Sequence, residues 1–506
     1  MAALKKVTRH EWRALKADGA AWVVIALIAV MTGVAVFNVA ATLRRQQEAE
    51  RLNVREEAEK FRRFHGQAAE IERLAALRGE PPPQFEPDMV KAPSSKYGPR
   101  DSLYVGAWNA LKIVPPPSPL MALAIGQSDL YPSSYRLGLE GRLEWQARGR
   151  VVQQVENPLI EMAGRFDLAF VVIYLYPLLI LAISFNMISG EKESGALGLA
   201  LSQPVSLRAL VTGKCLLRAA LVCGCLIGFA TVFLSLSGAV FSAPGAPARI
   251  ALWVLAVLAY GGFWFALAVW ANALGRSAAA TALILAAAWV FFLFVVPPAI
   301  NFTATTLYPL PSRIAYINRS RAEENEARNR RRELVARYLK EHPELAGYGW
   351  TPENLGVGYP HTPESMPEYI QGLEIQRRLQ PVVGRYEERL QRQQSVVNAA
   401  RFLSPAVLMQ GLLYDLAGTG RGRYEHFLRQ VNGFNGEWND FFCPMQFQRR
   451  MLNAADYERI PRFSYHEESL SEVWRRIAAP LAALIALPVA LGWLGGRAYR
   501  RFPMAG

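Results

Sequence analysis

The chain has 506 residues, a formal net charge of +14 and 52% hydrophobic residues. This composition excludes a plain soluble enzyme, because the apolar residues are concentrated in six runs long enough to cross about 30 Å of hydrocarbon. It also excludes a protein buried wholly in the bilayer, because 19% of the residues are charged and most lie between those runs.

The N-terminal 19 residues predict an amphipathic helix. Leu4, Val7, Trp12 and Leu15 fall near one face, with Lys and Arg on the other, which is typical of a helix lying in the membrane interface. The alternative is a basic flank with no further duty. Residues 20–41 form the first predicted span, and the absence of a small-residue cleavage site indicates a retained anchor.

Five more spans are predicted, one at 167–188, three within 210–300 and one at 477–494. Lys and Arg cluster before the first span, in the short 189–209 loop and in the tail, 495–506, which places both termini in the cytoplasm. The long segments, 42–166 and 301–476, are then extracytoplasmic. We expect a mainly α polytopic membrane protein with about six transmembrane helices and two mostly helical extracytoplasmic segments.

Both long segments contain predicted helices. Residues 43–78 continue the first span as a stalk that Pro81 should end, and the fold of 81–163 stays open between strand and helix. Residues 319–342 and 368–402 predict a helical hairpin, in which Pro381 should kink or break the second helix.

No catalytic constellation is present in the sequence. Gly213-Lys214 is followed by Cys215, so there is no phosphate-binding loop, and His466-Glu467 lacks the second histidine of a zinc-protease helix. Cys223 and Cys225 would point to different helix faces, which favours packing over metal binding. We therefore predict no catalytic, cofactor or metal residues, and not an enzyme.

The 189–209 loop carries the most informative motif. It reads as a short polar and then apolar helix closed by Gln-Pro between two spans, a geometry suited to passing force from a soluble partner to the membrane helices. It resembles the loop of type-2 ATP-binding-cassette exporter permeases, although Ala196 replaces their usual Thr. The matching positions are Glu191, Lys192, Glu193, Gly195, Leu197, Leu201, Pro204 and Val205, followed by Ser206, Gly213 and Lys214.

The long segments resemble a bacterial subfamily of such permeases with two large extracytoplasmic insertions. The residues that carry this resemblance are Gly126, Gln127, Asp129, Tyr131 and Pro132 in the first, and Ser404, Pro405, Gly418 and Thr419 in the second. The resemblance implies that the N-terminal helix is an elbow helix and that the 189–209 loop is a coupling helix.

The resemblance implies the permease subunit of an inner-membrane exporter of unidentified substrate. Its partners would be a separate ATPase that holds ATP and Mg, a second identical or paralogous permease, the bilayer, and an envelope protein, with no nucleic acid. In the coupling loop, Glu191 and Glu193 would contact the ATPase through charge, Leu197 and Leu201 through apolar surface, and Pro204 would end the helix. The alternatives are mechanotransmission to periplasmic or outer-membrane partners without translocation, and a membrane sensor or scaffold.

Overall fold

The computed structural model describes residues 2–17, 19–81, 98–102, 104–132, 134–137, 166–203, 205–238, 245–348, 365–448 and 450–501. Within these ranges helix predominates, and the strands are the two-residue antiparallel pair β1 (Lys112–Ile113) and β2 (Tyr135–Arg136). Six helices are long and apolar enough to cross a membrane, in the order that the sequence predicts. The chain is a mainly α polytopic membrane protein.

From α3 to α8, residues 168–307, the described helices follow one another closely along the chain, whereas α2 (Gly19–Leu77) and α3 are far apart in sequence. α3 is built from Leu168–Phe170, a π-helical turn Val171–Leu175 and Tyr176–Ser184, and α8 from Ala278–Val290, a π-helical turn Phe291–Val295 and Val296–Leu307. The other helices are α1 (Ala2–Ala17), α2 (Gly19–Leu77), α4 (Ser189–Glu193), α5 (Ala196–Leu201), α6 (Leu207–Leu236), α7 (Ala246–Ala273), α9 (Arg313–Asn329), α10 (Arg331–Glu341), α11 (Ser365–Ala400), α12 (Pro405–Ala417), α13 (Arg421–Phe447), α14 (Ala454–Arg459) and α15 (Leu470–Ala498).

α2 is a single helix of 59 residues, about 90 Å long at 1.5 Å per residue. The predicted stalk is therefore continuous with the first span. The helix ends before Pro81, the residue expected to stop it. Gly79 adopts a left-handed φ of 69°, and Glu80 N–H bonds the carbonyl of Ala75, which closes the last turn as a helix-ending glycine does.

α7 lies at the centre of the span bundle, where Trp253, Tyr260 and Trp264 are fully buried. Close packing of α3 on α7 depends on Gly261, because a Cβ there would overlap the hydroxyl of Tyr176. Tyr176 Oη also lies 2.8 Å from the buried Cys223 Sγ of α6. Cys223 is thus a packing residue, as the spacing of the cysteines predicts.

α12 lies inside the same apolar cluster as the spans, although it belongs to the second long segment. Met409, Leu412 and Leu413 are buried against α7 and α15. The chain bends by 118° between α11 and α12, at Ser404. The thirteen residues of α12 are too few to span a bilayer by themselves.

α9, α10 and α11 form the predicted hairpin. α9 and α11 run antiparallel, since Gln393 bonds the carbonyl of Tyr308 at 2.6 Å while Arg378, fifteen residues earlier, pairs with Glu326 at 2.6 Å. α11 continues through Pro381, which is exposed, so the predicted break is absent. The hydrogen bonds of Arg378 before the proline and of Gln393 after it hold α11 in place. The proline itself removes only one backbone hydrogen bond of the helix.

The stalk half of α2 packs on α13 rather than standing free. Phe61 lies edge-on to the buried Trp438 at 6.2 Å between ring centroids, and Ala68 is fully buried. Asn53 Nδ2 donates to the carbonyl of Lys112 at 3.0 Å, which adds β1 to this second core. The two long segments therefore share one apolar core around the stalk.

Candidate functional site

The α4–α5 loop, residues 185–203, joins α3 to α6 and holds the predicted coupling motif. The structure divides it into two short helices rather than the one predicted. Gly195 separates them with a φ of 73°, a left-handed conformation that L side chains disfavour. Ser206 then caps α6, its Oγ accepting from the N–H of Ala209 at 3.2 Å.

Asn272, near the end of α7, fixes the start of this loop. Its side chain is 1% exposed. Its Oδ1 accepts from the backbone N–H groups of Ile188 and Ser189 at 3.1 and 3.2 Å, and its Nδ2 donates to the carbonyls of Ser184 and Ala268 at 3.1 and 2.9 Å. Asn272 therefore joins the end of α3 and the beginning of α4 to α7, a role that the sequence did not indicate.

The three charged residues of the motif contact other parts of this chain. Glu191 pairs with Lys214 of α6. Lys192 Nζ donates to the carbonyl of Gly275 at 3.3 Å, and a carboxylate oxygen of Glu193 accepts from the N–H of Ala278, the first residue of α8, at 2.9 Å. Together with Asn272, these bonds tie α4 to α6, α7 and α8.

A buried ion cluster connects α1 to the same place. Glu11, with 4% of its surface exposed, lies 2.6 Å from Arg218 and 3.6 Å from Lys214 in its nearest nitrogen–oxygen pairs. Lys214 in turn pairs with Glu191, so the cluster links α1, α4 and α6. Glu11 was not among the predicted site residues. The sequence feature that could have identified Glu11 is that it is a single acidic residue in an otherwise basic amphipathic helix.

The apolar residues of the motif divide between buried and exposed. Leu197 is 6% exposed and packs with Val7 of α1, and Leu201 and Val205 are partly buried against the same cluster. Leu199 is the large apolar side chain of α5 that is exposed, at 76%. Pro204, the predicted helix stop, lies outside the described residues.

The second candidate region, called the junction, brings the two long segments together at the ends of α7, α12 and α15. Gln127 N–H bonds the carbonyl of Thr419 at 3.1 Å. Gly126 has a φ of 60°, and a Cβ there would lie 2.5 Å from Thr419 Oγ1. Gly418, with a φ of 67°, ends α12 beside Ser118, whose hydroxyl donates to the carbonyl of Ala417. The two halves of the predicted insertion motif thus meet.

Buried ion pairs close the junction. Arg476 of α15 donates to both carboxylate oxygens of Glu468 at 2.8 Å and to Asp415 at 3.2 Å. The side chain of Glu468 is 1% exposed. Arg249, in the first turn of α7, is 5% exposed and donates to the backbone carbonyl of Glu468 at 3.3 Å. These bonds fasten α7, α12 and α15 to one another.

A second pair joins α13 to the chain before α15. Arg423 donates to both oxygens of Glu467 at 2.8 Å and to the carbonyl of Pro116 at 3.0 Å. Burial would raise the pKa of Glu467, but the hydrogen bonds and charge of Arg423 outweigh it and hold the pKa below its ordinary value. The carboxylate therefore stays ionised at neutral pH and keeps the first long segment attached.

The remaining predicted positions serve structural roles. Tyr131 stacks on Tyr424 with ring centroids 3.8 Å apart, and burial raises the pKa of Tyr131 to about 12. Ser404 caps α12, and its hydroxyl donates to the carbonyl of Phe292 in α8 at 2.8 Å, while Pro405 is the first residue of α12. Pro132 is partly buried, and the side chain of Asp129 lies outside the described residues.

Among the described residues, no group of three or more His, Cys, Asp or Glu is placed to hold a metal ion. Residues 313–466 match a family model described as a domain of unknown function, DUF3526. This match runs from the start of α9 to the residues just before the junction glutamates. No curated protein and no solved structure matches the chain.

Proposed function

We propose that the chain is the permease subunit of an ATP-binding-cassette exporter, which couples ATP hydrolysis by a separate ATPase subunit to export of a substrate still to be identified. The observation that carries the proposal is the attachment of the α4–α5 loop to α6, α7 and α8 through Lys214, Asn272 and Ala278. A push on a short element fixed to three spans moves those spans together.

This proposal implies a membrane topology and a set of partners. The α4–α5 loop and both termini face the cytoplasm of a bacterial inner membrane, and the two long segments face the periplasm. ATP and Mg are bound by the partner ATPase. A second permease, identical or paralogous, completes the transporter, and no part of this chain is catalytic.

The structure changes which side chains we assign to the ATPase contact. Glu191, Glu193 and Leu197 already have partners within the chain, so they position the loop. Leu199 offers an apolar side chain to a partner, and the neighbouring Ser202 and Gln203 are also exposed. The contact surface is therefore the exposed face of α5. The charged residues of α4 hold that helix in position through their bonds to the spans.

The test replaces Leu199 with Asp in the full-length tagged chain, expressed in its native host. Because the side chain is 76% exposed, the variant should fold and insert as the wild type does. We expect it to lose the co-purifying ATPase and its stimulated ATP hydrolysis by roughly tenfold or more, as for an apolar contact residue at the centre of an interface.

Leu77→Asp is the matched control. Leu77 is 73% exposed at the far end of α2, on the opposite side of the proposed membrane. The Leu77→Asp variant should retain the ATPase. Absence of any ATPase with the wild-type chain would contradict the permease proposal, and equal retention by both variants would contradict the α5 contact.

A second function, mechanotransmission, is favoured by the 59-residue α2 and by its packing on α13. In that case ATP hydrolysis moves the stalk and the α9–α11 hairpin, which work on an envelope partner without moving a substrate through the bundle. Site-specific crosslinking separates the two functions. Crosslinks from the exposed Leu52 or Leu74 of α2 to an envelope protein support mechanotransmission, and cargo captured between the spans supports export.

A further inference from the structure

An apolar groove runs along the exposed face of α6 next to α1. Its volume is about 510 Å³. Ala220, Gly224 and Gly228 form the floor, and a Cβ on either glycine would meet no heavy atom within 4 Å. The lining extends from Leu217 to Val232, which is about 22 Å along a helix axis. The groove is thus long and open to the outside of the bundle.

Trp12 of α1 lines one end of this groove and is 51% exposed. Arg9, Arg13 and Lys16 lie within one turn of it along the helix and are also exposed. None of the three forms an ion pair with another described residue. The acidic residue of α1, Glu11, is buried on the other face, where Arg218 and Lys214 neutralise it. Over the part of α1 that the structure describes, the groove therefore ends at a cationic surface.

We propose that the groove is a binding site for an anionic phospholipid of the leaflet that carries α1. One acyl chain lies over Gly224 and Gly228 and under Trp12, and the phosphate is held by Arg9, Arg13 and Lys16. The apolar groove matches the acyl chain of such a lipid. The cations match its headgroup, because cations next to the membrane attract anionic headgroups. A helix of a second copy fits less well, since that copy would bring an equally basic α1 towards the same cations.

The experiment uses the full-length chain in nanodiscs that contain phosphatidylglycerol with a photoreactive acyl chain, with the labelled peptides located by mass spectrometry. We expect strong labelling of residues 217–232. Gly224→Leu with Gly228→Leu fills the floor and should lower this labelling roughly fivefold, because the lipid loses its close contact with the helix. Replacing Arg9, Arg13 and Lys16 with Gln should lower it roughly tenfold. The same photoreactive chain on phosphatidylcholine should label weakly.

Two matched controls distinguish a site from ordinary annular lipid. Gly492→Leu makes the same kind of substitution at an exposed glycine of α15 with open space around it. Arg321, Arg328 and Arg332→Gln removes three exposed charges from the α9–α11 hairpin. Neither should change labelling of α6. If the leucine variant is not monodisperse, the Gln variant, which alters exposed residues only, carries the test alone.

Three results would overturn the proposal. They are equal labelling by both lipids, labelling of 217–232 that is insensitive to the leucine and Gln variants, and an efficient Cys225–Cys225 disulfide between two copies in the membrane. Cys225 lines the groove, so the disulfide would assign the groove to a second copy of the chain. This proposal does not rest on the transporter function, and it would survive a chain that binds no ATPase.

Discussion

The α4–α5 loop and the junction are assembled in opposite ways. The loop takes its motif from one short stretch and attaches it to three neighbouring helices through Lys214, Asn272 and Ala278. The junction collects residues from four distant stretches, and it joins Gln127 to Thr419 and Arg249 to Glu468. A motif within one short stretch can be identified from the sequence, whereas a junction of distant residues is identified only in the folded chain.

The two regions also differ in what they leave exposed. The loop presents Leu199 to solvent, while the side chains of Arg249 and Glu468 at the junction are almost fully covered. An exposed apolar side chain on a fixed support suits a partner, and buried ion pairs suit permanent attachment. We therefore expect junction variants to affect stability most strongly and loop variants to affect communication with a partner.

The largest expected effect is at the junction, from Arg476→Leu. The variant leaves the carboxylate of Glu468 buried without its partner and removes the bond to Asp415. Removing one member of a buried pair costs about 3–5 kcal/mol of unfolding free energy. Because Arg476 is itself 31% exposed, we expect the loss to lie at the lower end of that range. Denaturant titration in detergent measures it. Arg475→Leu, at the exposed neighbouring position, should change the unfolding free energy little, and similar losses in both would argue that the ion pair is not formed.

At the loop, Asn272→Leu should cost roughly 3 kcal/mol, because it leaves the N–H groups of Ile188 and Ser189 buried without an acceptor. The loss should be local, with faster proteolysis of the α4–α5 loop than of the junction. Asn186→Leu is the control, since Asn186 is exposed in the same turn. Equal protease sensitivity in the two variants would contradict the role of Asn272.

Much of the fold was predictable because spans, stalk and hairpin each leave a periodic or compositional signal over many residues. The six spans follow from apolar runs of about 20 residues. α12 has only 13 residues, too few for such a signal, and its burial depends on α7 and α15. The stalk was predicted over residues 43–78, and the helix ends at Leu77, but the left-handed Gly79 that closes its last turn was not predicted.

The sequence indicates which segments contain the candidate sites, but it does not indicate which residues those segments contact. The motif around Glu191 and Glu193 falls on one loop of the structure, since its residues are close in sequence. Their partners, Lys214 and Ala278, are fixed by helix packing that no local pattern encodes. Gly126 and Thr419 were both singled out, yet their pairing across nearly 300 residues could not be derived from either segment.

The smallest expected effect comes from a pair of glycine variants, and it tests the pairing at the junction most directly. Gly126 and Gly79 have similar left-handed φ values, 60° and 69°. A Cβ on Gly79 meets nothing within 4 Å, whereas one on Gly126 would lie 3.0 Å from the carbonyl oxygen of Thr419 as well as against its hydroxyl. Gly79→Ala should therefore cost about 1 kcal/mol for backbone conformation alone. Gly126→Ala should cost about 2 kcal/mol, because the neighbouring backbone must also shift.

The thermal midpoint in detergent, measured for both glycine variants side by side, gives the difference between them. A larger drop for Gly126→Ala, with Gln127 N–H losing protection from hydrogen exchange, means that the first long segment is attached at Thr419. Equal drops would mean that backbone strain is the whole effect, and the first segment would then be held at the junction through Ser118 and Arg423. In that case Arg423→Leu, which removes the bond to the carbonyl of Pro116, should weaken the attachment of the first segment more than Gly126→Ala does.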